Sequence, residues 1–174
     1  MEWVRARRRC VFFALAVAML LAAGQPLHAA DKQPMAPPLP PLPPFESLRW
    51  DKVNLRAGPG DQYPIRWVLT RKGMPVEVLD RFDVWRKIRD WQGSVGWVHE
   101  RMLMGNRTVM VTGRERTLRV EPRATARPVA HAEPGVVGRL LSCRGDWCRI
   151  DAQGFKGWVE RRDIFGVTAN EVVE

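Results

Sequence analysis

The sequence predicts an all-β protein built as two small, similar domains, on three observations. Beyond Phe45 no stretch carries a sustained helical period. In its place are short runs rich in β-branched and aromatic residues, Ile65–Leu69, Val76–Leu79, Trp85–Ile88 and Val95–Val98, punctuated by Gly and Pro. The third observation is internal repetition. Leu55-Arg56 with Pro59 recurs as Leu118-Arg119 with Pro122, and Lys72-Gly73 as Pro134-Gly135. Val78-Leu79 recurs as Leu140-Leu141, Trp85 with Ile88 as Trp147 with Ile150, and Gly96-Trp97-Val98 as Gly157-Trp158-Val159. The spacing between copies stays at 61 to 63 residues throughout, so only small loop deletions separate them.

The elements follow in chain order. Arg5, Arg7, Arg8 and Arg9 precede an apolar run from Cys10 to Ala23, and small residues close the segment at Ala29-Ala30. A basic start, a run of this length and a small-residue exit are the pattern of an export signal, residues 1–30, cleaved after Ala29 or Ala30. Fourteen apolar residues fall short of the about 20 that a spanning helix needs, and retention as an uncleaved anchor is the alternative. Cys10 stands too early for a lipid-attachment site. The expected location is periplasmic or secreted.

Residues 31–47 read as a linker. Seven prolines crowd positions 34–44, and a ring that fixes φ and removes the N–H favours polyproline II, a semi-rigid spacer. The repeats are then expected at 48–106 and 110–168, followed by a short tail at 169–174.

Export changes the meaning of the charge. The formal net charge is +9 with a pI near 10.5, yet past residue 30 it falls to 24 Lys and Arg against 18 Asp and Glu. An exported chain does not meet nucleic acid, so no nucleic-acid partner is expected. A soluble basic surface and peripheral contact with an anionic envelope surface both account for the excess.

Within the first repeat, Gly58-Pro59-Gly60 is read as supplying backbone conformations closed to larger residues and then fixing φ, which gives the long loop one shape. Alternation along Trp85-Arg86-Lys87-Ile88 puts Ile88 on one face and Trp85 on the other. If Ile88 enters the core, Trp85 is either a flat ligand platform or a cover for the barrel end or the contact between domains. Trp97 and Trp158, each after a glycine, are expected in the core. Seven Trp follow residue 30, and domains this small need large aromatics to fill a core, so most are expected to be structural. Trp50, Trp67 and Trp91 have no counterpart in the second copy.

Cys143 and Cys148 flank Arg144-Gly145-Asp146-Trp147. A hairpin closing around those four residues pairs positions i and i+5, setting the cysteines opposite each other, about 4.5–5.5 Å apart at Cβ. Cys143 shares parity with Leu141, and Cys148 with Ile150, so both should face the apolar side. In an oxidising compartment this predicts a disulfide. A redox pair or metal site would need Cys-x-x-Cys spacing and further ligands, which the sequence lacks.

Val53-Asn54-Leu55-Arg56-Ala57-Gly58-Pro59-Gly60, Tyr63-Pro64, Lys72-Gly73, Val76-Glu77-Val78, Trp85 and Gly96-Trp97-Val98 together resemble, motif after motif, the bacterial SH3 (SH3b) domain. The second copy departs at its opening, with Leu118-Arg119-Val120-Glu121-Pro122. With Cys148 and Ile164-Phe165-Gly166-Val167 it resembles the SH3-like variant of exported proteobacterial proteins. The resemblance implies two tandem, partly open SH3-like β-barrels. It also implies non-catalytic binding, to peptidoglycan or to an envelope protein or peptide. Contact residues expected on that basis are Arg56, Tyr63, Trp85, Arg86 and Lys87, with bracing of the loop as the alternative role of Arg56.

Catalysis is not expected. After residue 30 the only histidines are His99 and His131, both cysteines are committed to the disulfide, and the carboxylates are interleaved with arginine. No metal or other cofactor is implied. The alternative to a binding module is a structural component of an envelope assembly, with no small ligand of its own.

Overall fold

The computed structural model describes residues 40–173, and the expected export signal and most of the proline-rich stretch lie outside them. The first sheet comprises β1 (Phe45–Leu48), β2 (Val53–Arg56), β3 (Ile65–Leu69), β4 (Pro75–Phe82), β5 (Trp85–Arg89), β6 (Val95–His99) and β7 (Leu103–Met104). The second comprises β8 (Thr108–Val111), β9 (Arg116–Arg119), β10 (Pro128–Ala132), β11 (Val137–Arg144), β12 (Trp147–Ala152), β13 (Phe155–Glu160) and β14 (Ile164–Phe165). Their orders, β3-β2-β6-β5-β4-β1-β7 and β10-β9-β13-β12-β11-β8-β14, are the same topology twice. Each sheet turns through a one-turn 3₁₀ helix, Glu100–Met102 or Arg161–Asp163, just before its last strand. The fold is all-β in two tandem SH3-like barrels.

Residues 45–47, placed with the linker on composition, instead belong to the first sheet. Phe45, Ser47 and Leu48 are buried, and β1 pairs with β4 and β7. The proline run leads directly into this strand, since the Val78 N–H donates to the Pro44 carbonyl at 3.0 Å. A proline cannot donate to a ladder but can accept from one.

The cores are aliphatic. Leu48, Val53, Leu55, Val76, Ile88 and Val98 fill the first, and Val109, Val111, Leu118, Cys148, Ile150 and Val159 the second. Burying each of these larger aliphatic side chains stabilises the fold by about 1.5–3 kcal/mol. No Trp enters either cluster, so the expectation that aromatics fill these barrels is wrong. The interior is too narrow. A Cβ on Gly96 would stand 2.6 Å from Leu55 Cγ and 2.8 Å from the Arg56 carbonyl oxygen. On Gly157 it would stand 2.7 Å from Leu118 Cβ. Strands that cross this closely leave room for Val and Leu, not for indole.

The cysteines pair directly, Cys143 opposite Cys148, and are joined by a disulfide. The path to that pairing differs from the simple alternation argument. A bulge between Leu140 and Ser142 makes Leu141 the extra residue, so Cys143 shares the buried side with Leu140. The same bulge recurs between Val78 and Asp80, leaving Leu79 exposed. The turn is also tighter than four residues. Arg144 pairs with Trp147, and Gly145-Asp146 alone close it, with Gly145 at φ +51°.

Residues 40–173 lie within one compact unit, in which the two repeats are joined by a polar and aromatic seam. The fully buried Ser47 donates from Oγ to the Asn106 carbonyl at 2.7 Å and lies 2.7 Å from Thr108 Oγ1. Thr108 Oγ1 donates to the Gly73 carbonyl at 2.5 Å. Phe45 meets Phe165 edge-on at 5.3 Å between centroids, and the Arg107 guanidinium sits 5.8 Å from the Phe45 centroid. Arg107 also holds the chain end, through the Gly166 carbonyl and the Glu171 carboxylate. That ion pair keeps the Glu171 pKa below the usual carboxylate value, the hydrogen bond from Arg107 being its largest cause.

Candidate functional site

The loop from Ala57 to Pro64 is built around two residues expected at the site, and their roles separate there. Arg56 donates from Nη1 to the carbonyls of Asp61 (3.0 Å) and Tyr63 (2.9 Å), and its Nη2 lies 3.1 Å from the Asp61 carboxylate. Bracing of the loop is therefore its observed role. The second repeat repeats the device, with Arg119 Nη1 donating to the Ala126 carbonyl at 2.7 Å. The Tyr63 ring lies on Gly58, where a Cβ would come within 2.5 Å of it. Gly58 and Gly60 both keep φ out of the left-handed region, so these glycines are required for space rather than for unusual backbone. Tyr63 itself remains 40% exposed.

Cross-strand register fixes which side chains share the outer face. Ile65 opposes Arg56, Arg56 opposes Trp97, Trp97 opposes Lys87 and Lys87 opposes Asp80. Trp97 is thus half-buried on the outer face between two cations, and the core residue of its strand is Val98. Trp158 holds the same place between Arg119 and Arg149, and is covered there. Neither belongs to the core clusters, contrary to expectation, because Gly96 and Gly157 take the inward positions opposite Ile88 and Ile150.

Arg86 lies on the opposite face, and Trp85, on the same face as Lys87, is covered. Trp85 does oppose Ile88 in facing, being paired with His99 while Ile88 is paired with Gly96. Yet it is buried, its ring 5.4 Å from that of His99, and it offers no open platform. Arg86 shares the face of Val98 and closes the hairpin end. Its Nη1 donates to the Asp83 carbonyl at 2.9 Å, and Nη2 pairs with Glu100. Nearby Glu46 has its pKa raised, by burial first and by Glu100, against the lowering effect of Arg86. Of the five expected contact residues, Arg56 and Lys87 flank Trp97 on the outer face and Tyr63 stands in the loop that Arg56 braces, whereas Trp85 and Arg86 support the fold.

What sequence reasoning missed is larger. Trp50, Trp67 and Trp91 are 54%, 61% and 46% exposed, and Ile65, Val68 and Val95 in the same repeat are exposed as well. Their positions in the second repeat hold Gly113, Ala130 and Gln153. That absence was the available signal. A residue repeated in both copies serves the shared fold, and a large aromatic present in one copy answers to something else. Beyond β3, Val68, Arg71, Met74, Asp90, Trp91 and Met110 line a cleft of about 420 Å³ where the first repeat meets the second. Among the described residues, no three His, Cys, Asp or Glu side chains come together as a metal site would require.

No curated protein matches the chain. Among solved structures it is similar to NlpC2 and NlpC1 from Trichomonas vaginalis. Identity with NlpC2 is 13% over 70% of this chain and 47% of that one, with a TM-score of 0.33. For NlpC1 it is 15% over 69% and 44%, also with a TM-score of 0.33. An NlpC/P60 family protein from Bacillus cereus ATCC 10987 is 15% identical over 70% of this chain and 55% of that chain, with a TM-score of 0.32. The chain spans about half the length of these structures. The family model described as bacterial SH3 domain matches twice, over residues 50–105 and 113–166. With both repeats matched in this way, the chain belongs to the bacterial SH3 domain family.

Proposed function

We propose that the protein is an exported, non-catalytic binding module that engages peptidoglycan or an envelope protein or peptide through its first repeat. The observation that carries this reading is the exposure of Trp50, Tyr63, Trp67 and Trp91, all in the first repeat, with no aromatic at the matching Trp positions of the second. Large exposed aromatics concentrated in one repeat supply the apolar area from which interaction surfaces are made. Arg56 and Lys87 flank half-buried Trp97 in the same repeat, and the excess of basic residues adds attraction to an anionic envelope surface, an effect screened by salt. The export-signal pattern at 1–30 and the proline-rich stretch support a module that works outside the cytoplasm, held away from its point of origin.

The test is retention of the protein on purified cell-wall sacculi, against a basic control protein of equal size. Retention above the control, reduced at least about threefold by Trp67→Ala, supports the reading, since loss of one exposed aromatic contact is worth on the order of 1 kcal/mol. Retention equal to the control, unchanged by the substitution, rejects peptidoglycan as the target. A second reading, a structural component without a ligand of its own, is favoured by one observation. The repeats interlock through Ser47, Thr108 and Phe45, as a rigid assembly part requires.

A further inference from the structure

The first repeat leaves one long sheet edge open. β3 pairs with β2 alone, and Ile65, Trp67 and Val68 on it are exposed. An edge of this kind presents unpaired backbone donors and acceptors and is a template for another extended chain. The equivalent edge in the second repeat, β10, begins with Pro128 where β3 has Ile65, and carries Ala130 and His131 where β3 has Trp67 and Val68. A proline withdraws a donor and blunts the edge. Only β3 combines free backbone valence with large apolar side chains.

The end of β3 leads into the cleft between the repeats. Its floor is buried Met74 and Met110, and its walls are Val68 and Trp91. Arg71, two residues beyond β3, donates from Nη1 to the Gly135 carbonyl at 2.5 Å and forms no ion pair among the described residues. The one carboxylate at the cleft, Asp90, is buried and accepts the N–H groups of Gln92 (3.0 Å) and Ser94 (2.8 Å). The site therefore offers a guanidinium fork without an ion-pair partner beside a mixed pocket floored by two methionines, at the end of an open strand edge.

We infer that β3 and the inter-repeat cleft bind the carboxy-terminal end of an extended peptide, its backbone adding to β3, its last apolar side chain entering the cleft and its terminal carboxylate meeting Arg71. The open edge selects a polypeptide over a glycan. The methionine floor with Val68 and Trp91, beside a cation that has no ion-pair partner, selects a chain end bearing both an apolar side chain and a carboxylate. With the terminus at Arg71 the peptide runs parallel to β3, and the five residues of that strand span about 16 Å, room for about five peptide residues. This deepens the binding-module reading and rests on it.

The experiment measures binding of the full chain to fluorescein-labelled octapeptides ending in Val-Ile, each made as the free acid and as the carboxamide. The expected result is binding of the free acid and at least about tenfold weaker binding of the amide, the usual value of one charge-assisted contact. Arg71→Gln should abolish the difference between the two probes. Trp91→Ala, which leaves the Gly135 contact intact, should weaken both probes alike. Equal affinity for acid and amide in the unaltered protein, no binding of either probe, or an acid preference that survives Arg71→Gln would each overturn the inference. So would a dimer in sedimentation that Trp67→Arg disrupts, because β3 would then pair with a second copy. Retention on sacculi without peptide binding refutes this site and leaves the wall-binding reading standing. Acid-selective peptide binding without retention on sacculi does the reverse.

Discussion

Replacing Thr108 by Val tests whether the two repeats are one thermodynamic object. Three short oxygen contacts meet at the seam. Ser47 Oγ reaches the Asn106 carbonyl and Thr108 Oγ1, each at 2.7 Å, and Thr108 Oγ1 reaches the Gly73 carbonyl at 2.5 Å. Two hydroxyls carry only two protons, so they cannot supply three full hydrogen bonds at once. The protons belong to the two carbonyl contacts, and the Ser47–Thr108 approach is held by its neighbours. Thr108→Val keeps the shape, removes the donor to Gly73 and leaves that carbonyl without its partner in a buried turn. The cost is about 1–3 kcal/mol. At about 3–5 °C per kcal/mol for a unit of this size, the melting temperature should fall by roughly 3–15 °C. Ser47→Ala should cost less, since the Asn106 carbonyl lies on an exposed residue that water can reach. Because both changes act on one network, the loss in the double variant should differ from the sum of the single losses by at least about 0.5 kcal/mol. Calorimetry of the unaltered protein should show one transition, displaced as a whole by Thr108→Val. Two separate transitions, or a Thr108→Val protein within about 0.3 kcal/mol of the original, would refute the reasoning.

Two further predictions concern the barrels themselves. Gly96→Ala places a methyl against the Arg56 backbone as well as Leu55, so it should cost at least about 1–3 kcal/mol in a chemical melt, as overpacking does; a loss under about 0.5 kcal/mol would mean that β2 and β6 can part freely. Glu46→Gln should stabilise the protein at neutral pH. Burial raises the Glu46 pKa, so the folded state holds its proton more tightly than the unfolded state does, and wild-type stability declines as pH rises through the raised value. The advantage of Gln over Glu should therefore grow between acidic and neutral pH in paired urea melts. A pH-independent difference, or one that shrinks with rising pH, would show that burial is not what acts on Glu46.

The sequence by itself determined what is local and what is repeated. Alternating apolar residues, turn glycines and the spacing of 61 to 63 residues were enough for two all-β copies, because strand parity and turn chemistry are properties of a few consecutive residues. The hairpin spacing of Cys143 and Cys148 placed them opposite each other for the same reason, even though the bulge at Leu141 altered the parity used to reach that result. Alternation also assigned Trp85 and Ile88 to opposite faces correctly. What alternation cannot say is what lies over a face. Trp85 points outward and is covered, Trp97 points outward and is half open, and Trp67 stands in the open. Each outcome depends on segments distant in the chain. Arg56 became a brace because the loop up to Pro64 folds back onto it, and residues 45–47 became a strand because β4 and β7 were there to accept them. The cleft beside Arg71 exists only where the two repeats meet, between side chains as far apart in sequence as Val68 and Met110. Patterns within a strand fix which way a side chain points, and only the packing of the whole unit decides whether anything is there to meet it.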